Sequence, residues 1–360
     1  MEEPRFNIGL QILMILSIFS SFSALIYCRS RDSVVLGCFN YDRPISESKF
    51  KDELHLMIMK STVNDNTNRR DIVLFVTNAG MIKLTRNALC SLWMTNVPKE
   101  RIIVVATDKI SYLNMQKFGA NTVYYPTNQA INSIDPSDTN EFVDFIRVKF
   151  KIAKFVIHNT TDLSLADSDI IFFANPLVAF SFDTDIEASI DSPNDPVIPK
   201  KSYLSWGINL NFAHYRSTSV MKKFMNVWED RIDQLEYTES QALLDIINNL
   251  PTERSFTDTL TINLEQYFEP DPHNPFQIRY VNPVFGVEAR GPLMGSSTLK
   301  RVFWKEARKH NMSRPLWCHF GGLGTAQQKI SKMKDYKLWY LDESDHCLPN
   351  PPKGGRKYFW

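Results

Sequence analysis

The sequence predicts an α/β protein in which a mostly parallel sheet is covered by helices on both faces. Two observations support this fold class. Short apolar runs, rich in β-branched residues and closed by turn residues, alternate along the chain with segments of helical periodicity. The apolar runs are also nearly continuous, which is typical of strands that are buried on both faces. At 360 residues the chain is long enough to bury such a core.

The predicted elements follow one another in a regular order. Each apolar run indicates a strand, and the runs lie at residues 71–78, 102–108, 122–125 and 163–166. Helical patterns occupy the intervals between them, at residues 84–93, 112–118 and 141–157. Residues 206–212 and the helical segment 219–235 indicate that a second half of the chain extends the same sheet.

Motifs and charge exclude several classes of binding site. The first predicted strand is not followed by G-x-G-x-x-G, and G-x-x-x-x-G-K-[ST] occurs nowhere in the chain, which argues against a dehydrogenase-like dinucleotide site and a P-loop. Lys and Arg number 41 against 40 for Asp and Glu, which gives a net charge of +1. Because no overall positive field attracts nucleic acid, we expect no nucleic-acid partner.

A pair of acidic residues, Asp167 and Asp169, stands at the exit of the fourth predicted strand. On an extended segment, side chains at i and i+2 point the same way and lie roughly 7 Å apart. Unpaired charges are costly to bury beside apolar strands, so a counter-charge is expected, and Mg²⁺ or Mn²⁺ suits two carboxylates. Such ions complete their shells with phosphate and water, which predicts a metal–diphosphate site. Taken alone, the pair is also compatible with a solvated loop mouth or a helix N-cap.

Polar residues also follow the first two predicted strands, as Thr77-Asn78 and Thr107-Asp108. The carboxyl ends of parallel strands meet at one edge of the sheet, where the ligands of such sheets bind. We therefore expect both dipeptides to converge with the acidic pair on one crevice.

A glycine-rich segment near the C-terminus, residues 317–324, reads WCHFGGLG and is followed by Lys329, Lys332 and Lys334. Glycines let backbone amides approach an anion closely, and lysines supply positive charge. His319 is a candidate third metal ligand, and a histidine in an ordinary turn is the alternative. Residues 343–360 are rich in Pro and Gly and predict a tail without chemistry.

Residues 8–27 carry no charge, and their length matches the ~20 residues that a membrane-spanning helix needs. A cleaved signal peptide is the alternative, but its apolar region normally has ~7 to 15 residues and ends in a small-x-small site, whereas this run ends in Tyr27-Cys28-Arg29. The chain is thus predicted to consist of a cytosolic tail (1–7), a transmembrane signal-anchor (8–27), a polar stem (28–70), the folded domain (71–342) and the C-terminal tail (343–360).

Signals for the orientation of the predicted span disagree. Arg5 precedes the span and Arg29 and Arg31 follow it, which by the positive-inside tendency places the C-terminal side in the cytosol. Two glycosylation sequons, at Asn159 and Asn311, instead favour a lumenal domain.

The cysteines bear on the same question of compartment. A lumenal domain would permit up to two disulfides among Cys38, Cys90, Cys318 and Cys347, with three possible connectivities, and would leave Cys28 free or acylated. Buried free thiols are the alternative.

In their order and spacing, the motifs resemble the nucleotide-diphosphosugar transferases with a GT-A fold, in particular glycosyltransferase family 77. The resemblance covers residues 71–342 and is carried by DIVLFVTNAG, IIVVATD, the helix with Lys149, ADSDIIFFANP, GINLNFAHYRST, Glu239-Ser240-Gln241, and HFGGLG with its trailing lysines. It implies a single lumenal Rossmann-like GT-A domain behind an N-terminal transmembrane helix, in a single-pass type II protein of the Golgi membrane. It also implies transfer of a sugar from a nucleotide-diphosphate donor, commonly UDP-linked, to a hydroxyl of a glycan or glycoprotein, with Mn²⁺ (or Mg²⁺) and with retention of configuration.

Carried over by position, the resemblance assigns residues to the metal and the diphosphate. Asp167 and Asp169 would meet the ribose and the metal, and His319 would complete the metal shell. Gly322 and Lys329 would face the diphosphate.

The resemblance also assigns the nucleoside and sugar sides of the site. Thr77, Asn78 and Asp108 would line the nucleoside pocket, and Lys149 would lie near the sugar or the phosphates. The candidates for the catalytic face beside the sugar are Asn209, Glu239 and Gln241, for each of which an ordinary helix-surface or capping role is the alternative.

Two positions depart from the family pattern. Ser240-Gln241 stands where members often carry Asp-Gln, with Glu239 as a possible substitute, and Asn211 stands where they carry Gly. These departures support a second hypothesis, a catalytically inactive, membrane-anchored protein that binds a nucleotide-sugar or a glycan. A structural lumenal scaffold is a third, and it predicts no metal-dependent affinity for nucleotides.

Overall fold

The structure, a computed structural model, describes most of the chain beyond residue 45: residues 46–63, 71–125, 127, 139–159, 161–191, 207–235, 238–250, 252–254, 259–269, 275–281, 286–288, 308–309, 315–321 and 324–352. The predicted span (8–27), Cys38, Asn311 and Gly322 lie outside these described residues. Within them, no helix is both long enough and apolar enough to cross a membrane.

Helices and strands alternate through the first half, as the sequence predicts. The strands are β1 (Asp71–Thr77), β2 (Ile102–Ala106), β3 (Asn121–Tyr124), β4 (Asp162–Ala166), β5 (Ile170–Phe172), β6 (Ile186–Asp191), β7 (Gly207–Tyr215), β8 (Thr252–Arg254), β9 (Thr259–Ile262), β10 (Phe276–Val281), β11 (Gly286–Glu288) and β12 (Trp317–His319). The α-helices are α1 (Glu47–Val63), α2 (Ile82–Trp93), α3 (Lys109–Lys117), α4 (Thr139–His158), α5 (Ser219–Leu235), α6 (Glu239–Asn249) and α7 (Ala326–Asp335).

Nine strands form the large sheet, in the order β3-β2-β1-β4-β7-β6-β10-β9-β8. The four strands β3, β2, β1 and β4 pair in parallel. Only β7 and β9 pair antiparallel with both of their neighbours, so the other seven strands of this sheet share one direction. The prediction of a mostly parallel sheet is thus confirmed.

The core lies on both faces of this sheet, because successive side chains of a strand alternate between the faces. All seven residues of β1 are buried. Leu74 belongs to one hydrophobic cluster, together with residues of α1, α4, α5 and α6. Phe75 belongs to another cluster, with residues of α2 and α3. Helices therefore cover both faces, as predicted, and a strand enclosed on both sides needs the continuous apolar run seen in the sequence.

A second, three-stranded sheet has the order β11-β12-β5. The chain enters it directly from the large sheet, because β4 ends at Ala166 and β5 begins at Ile170. Asp167, Ser168 and Asp169 form the connection. The acidic pair therefore lies at the junction of the two sheets.

Helix α1 lies inside the segment 28–70 that the sequence analysis assigns to a stem. Its residues Phe50, Leu54 and Ile58 recur every four positions, so they lie along one face of the helix, and each is at most 2% exposed in the core. The folded unit accordingly begins at Glu47, ahead of the predicted boundary at residue 71.

A disulfide joins Cys90 of α2 to Cys347, while Cys318 is buried and lies outside this bond. The segment just ahead of the tail is fixed by Asn87, whose side chain accepts a hydrogen bond from the amide of Tyr340 and donates one to the carbonyl of Leu338. The first part of the predicted tail is thus attached to the core.

We expect the Cys347→Ala variant to lower the free energy of unfolding by about 2–5 kcal/mol, because the disulfide restricts the unfolded chain over a separation of 257 residues. Urea unfolding of both proteins, with and without reductant, measures this. Reductant should destabilise the wild type and leave the variant unchanged. Equal stability of the reduced and oxidised wild type would contradict the bond.

Candidate metal and donor site

The acidic pair lies in a turn, so the predicted extended segment through Asp167 and Asp169 is wrong. The side chains nevertheless converge. Ser168 between them points elsewhere, since its Oγ lies 2.8 Å from Thr85 Oγ1 and 3.4 Å from the carbonyl of Val76. The chain turns here because it passes from one sheet to the other. Ser168 and Asp169 are buried, Asp167 is partly exposed, and no helix begins here, so the N-cap does not describe the pair and the solvated loop mouth does not describe Asp169.

His319 reaches the acidic pair through strand pairing. β12 pairs antiparallel with β5, in a register that places His319 opposite Ile170. The amide of Phe320 also donates to the carbonyl of Asp169 at 2.9 Å. As a result, His319 Nε2 lies 3.2 Å from Asp169 Oδ1 and 4.0 Å from Asp167 Oδ2.

The three predicted metal ligands form one cluster. One ligand atom from each of Asp167, Asp169 and His319 lies within 4.8 Å of the others. The two carboxylates are oxygen ligands of the kind that Mg²⁺ and Mn²⁺ take, and the imidazole favours a transition-metal ion over Mg²⁺. Three protein ligands leave coordination positions for phosphate and water. The donor set therefore fits a divalent cation such as Mn²⁺.

Lysines supply positive charge to the same carboxylates. Lys149 Nζ donates to Asp167 Oδ1 at 2.7 Å and to Glu239 Oε1 at 2.9 Å. Lys329 Nζ donates to Asp169 Oδ2 at 2.7 Å. The expected counter-charge is therefore supplied in part by these ammonium groups. They offset the cost of removing the carboxylates from water.

The pKa directions of the two acids differ. Burial raises the pKa of Asp167, against the opposing charge of Lys149. Burial alone would also raise the pKa of Asp169, but the charges of His319 and Lys329 outweigh it and lower that pKa. Asp169 is accordingly the stronger acid of the pair, held as a carboxylate by its neighbours.

Lys149 remains charged in spite of its location. Its side chain is almost fully buried in α4, which by itself would lower its pKa. The charges and hydrogen bonds of Asp167 and Glu239 outweigh this effect and raise the pKa of the ammonium. The group is therefore a fixed positive charge between two carboxylates.

The carboxyl ends of β1 and β2 meet as predicted. Asp108 accepts hydrogen bonds from the amides of Ala79 and Ser111, at 2.6 and 2.8 Å, and so joins the first turn after β1 to the start of α3. Thr77 Oγ1 lies 2.7 Å from the hydroxyl of Thr85, the residue that also contacts Ser168. Hydroxyl groups thus connect this edge to the acidic turn.

Asn78 lies at the same edge and differs from its neighbours. Its side chain is buried, and among the described residues neither its amide nitrogen nor its amide oxygen has a hydrogen-bond partner. A buried polar group without a partner costs about 1–3 kcal/mol. This amide is therefore suited to pairing with a bound molecule.

The three predicted catalytic residues have different surroundings. Glu239 is the buried first residue of α6, and Lys149 connects it to Asp167. Gln241 is exposed, and its side chain completes the capping box of α6 with Thr238, the capping role named above as the alternative. Asn209 accepts a hydrogen bond from the amide of Asn211 at 3.0 Å.

Asn211 belongs to the site, although no sequence motif predicts this role. The structure places its side-chain Nδ2 2.6 Å from His319 Nδ1, and its carbonyl accepts a hydrogen bond from the amide of Asp167 at 2.8 Å. The spacing of Asn209 and Asn211 does not reveal the contact, because the pairing of β7 with β6 changes register between Asn209 and Ala213.

The fold and the acid–histidine cluster define an α/β protein with a possible metal site. The model of one family, described as nucleotide-diphospho-sugar transferase, matches residues 99–331, more than half of the chain. The chain belongs to this family, and it is a glycosyltransferase. The resemblance seen in the motifs is confirmed.

Solved glycosyltransferase structures are also similar to the chain. The bifunctional glycosyltransferase WbbM is 10% identical, with a TM-score of 0.41, over 77% of this chain and 53% of WbbM, so the chain spans about half of that protein. The galactosyltransferase LgtC, in complex with donor and acceptor sugar analogues, is 12% identical (TM-score 0.44; 80% and 99% covered). Mouse xyloside xylosyltransferase 1 is 7% identical (TM-score 0.37; 70% and 98% covered). No curated protein sequence matches the chain.

We expect Lys149→Met to lower the free energy of unfolding by about 3–5 kcal/mol, because it leaves buried carboxylates without their shared counter-charge. Lys154→Met is the matched control: this lysine lies on the same helix and pairs with Glu229 at a more exposed position. Its loss should cost about 1 kcal/mol or less. Urea unfolding measures both variants, and equal effects would contradict a special role for Lys149.

Proposed function

We propose that this protein is a metal-dependent glycosyltransferase that moves a sugar from a nucleotide-diphosphate donor, a UDP-sugar, to a hydroxyl of a glycan or glycoprotein. We further propose that the reaction retains the anomeric configuration. One observation carries the proposal: in a chain of this family, Asp167, Asp169 and His319 present their ligand atoms within 4.8 Å of one another.

Departure of the nucleoside diphosphate is the difficult step of such a reaction. Asp167, Asp169 and His319 would hold Mn²⁺ or Mg²⁺, whose contribution when bound is Lewis-acid stabilisation of the charge that develops on the diphosphate. Lys329 lies against Asp169 and adds a positive charge at the same place. Charges that are already in position stabilise a transition state without reorganisation.

On the sugar side, the surroundings favour Glu239 over Gln241. Lys149 holds the Glu239 carboxylate at the site, whereas the Gln241 side chain is engaged in the helix cap. Lys149 would also fix the distance between the donor-binding acid Asp167 and Glu239. We assign to Glu239 the catalytic role beside the sugar, and to Asn209 a supporting position on β7.

On the nucleoside side, the proposal rests on the side-chain amide of Asn78. Its amide offers two donors and one acceptor oxygen, and it has no partner among the described residues. We propose that the nucleoside of the donor pairs with it, beside Thr77 and Asp108. Gly322, which lies outside the described residues, keeps its proposed place at the diphosphate.

We propose a Golgi location, with residues 8–27 as the anchor and the catalytic domain in the lumen. The disulfide between Cys90 and Cys347 supports this, because disulfides persist in oxidising compartments and are rare in the cytosol. The sequon at Asn159 and the apolar run support it from the sequence.

The second candidate function is a nucleotide-sugar- or glycan-binding protein without turnover. The observations that favour it are Ser240 and Asn211, the two departures from the family pattern described in the sequence analysis. Release of nucleotide from a panel of UDP-sugars by the full-length protein, with Mn²⁺ or with chelator, separates the candidates. Turnover with one donor supports the enzyme and names the sugar, whereas UDP binding without turnover supports the binder. Absence of UDP binding in calorimetry would leave only a scaffold.

We expect Asp169→Asn to reduce Mn²⁺-dependent nucleotide release at least about 100-fold, because loss of a charged ligand removes several kcal/mol of transition-state stabilisation. Asp230→Asn, at an exposed position of α5, is the control and should keep the wild-type rate. Chelation of the wild type should abolish the same activity. A rate that Asp169→Asn leaves unchanged would refute the metal-dependent mechanism.

A further inference from the structure

The imidazole of His319 has contacts on the side that faces away from the acids. Its Nδ1 lies 2.6 Å from the side-chain amide of Asn211, and its Nε2 faces Asp169 at 3.2 Å. We propose that Asn211 is a positioning residue that fixes the orientation of the His319 ring and thereby sets the affinity of the site for its cation. This inference rests on the metal site of the proposed function.

Asn211 is attached to both parts of the site. Its carbonyl accepts a hydrogen bond from the amide of Asp167 at 2.8 Å, and its own amide donates to Asn209 Oδ1 at 3.0 Å. Its side chain contacts His319, which lies on the other sheet. One residue of β7 therefore holds the backbone of one metal ligand and the ring of another, across the junction of the two sheets.

An amide is suited to this task, because it contains both a donor and an acceptor. A ring nitrogen binds a cation through its lone pair, and the hydrogen then resides on the other ring nitrogen. With Nε2 directed at the acids, the hydrogen on Nδ1 is donated to the oxygen of Asn211 after rotation of the amide. Groups that hold the second nitrogen of a histidine ligand in this way typically change metal affinity 10- to 100-fold when they are removed.

Gly321 leaves space for the ring on another side. A Cβ atom at this position would lie 2.0 Å from His319 Cε1, which is closer than any contact allows. Only glycine leaves room for the ring as it is placed. The contact at Nδ1 therefore holds the imidazole in a position that a side chain at residue 321 would not permit.

The experiment measures Mn²⁺ affinity of the full-length protein by calorimetry and by electron paramagnetic resonance, without nucleotide. Asn211→Ala and the similarly sized Asn211→Leu should weaken binding by about 10- to 100-fold. Asn211→Asp should keep binding within about threefold of the wild type or tighten it, because a carboxylate accepts the hydrogen of Nδ1. His319→Ala is the reference for loss of the ligand, and Asn249→Ala, at an exposed helix position, is the control.

Thermal unfolding of each variant in chelator separates positioning from folding. The inference is supported if Ala and Leu weaken Mn²⁺ binding while Asp preserves it and the melting temperatures agree. It is overturned if His319→Ala loses binding and Asn211→Ala does not, or if Ala, Leu and Asp all weaken binding in proportion to lower melting temperatures. A wild type that binds no Mn²⁺ overturns the metal site of the proposed function itself, and this inference with it.

Discussion

The site depends on one short antiparallel pairing, that of β12 with β5. His319 and Asp169 are 150 residues apart in sequence, and they meet because the register places His319 opposite the residue that follows Asp169. β5 exists because the chain leaves the large sheet after β4. The turn that directs the two acids therefore also begins the strand that brings the histidine. Without this pairing, the three side chains would share no common position.

Compensated charge is the second constraint. Three carboxylates, those of Asp167, Asp169 and Glu239, are held by the ammonium groups of Lys149 and Lys329. Buried charges of this kind are stable only together, since removal of one partner exposes the desolvation cost of the other. The lysines come from α4 and α7, which are distant in the chain. The chemistry of the site and the docking of these helices are thus parts of one arrangement.

Sequence patterns predicted the elements that depend on residues close together in the chain. They missed the features that depend on contacts between distant segments. The first strand is predictable because its enclosure on both faces requires an unbroken apolar run. The predicted bounds of α5, residues 219 and 235, agree with the structure. Helix α1 was missed because its apolar residues form a narrow stripe in a polar segment. The acidic turn was read as a strand, since spacing alone does not show where a chain changes sheets. The contact of Asn211 with His319 had no signal of its own, because it arises only when the two sheets meet.

The inclusion of α1 in the folded unit decides where a shortened form of this protein can begin. A chain that starts at residue 71 would lack Phe50, Leu54 and Ile58, which belong to the same hydrophobic cluster as Leu74. The apolar side chains that this helix covers would then face water, at a cost of about 25 cal/mol for each Å² of exposed apolar surface. A shortened protein that keeps this face of the sheet covered therefore has to include Glu47 and the helix that it begins.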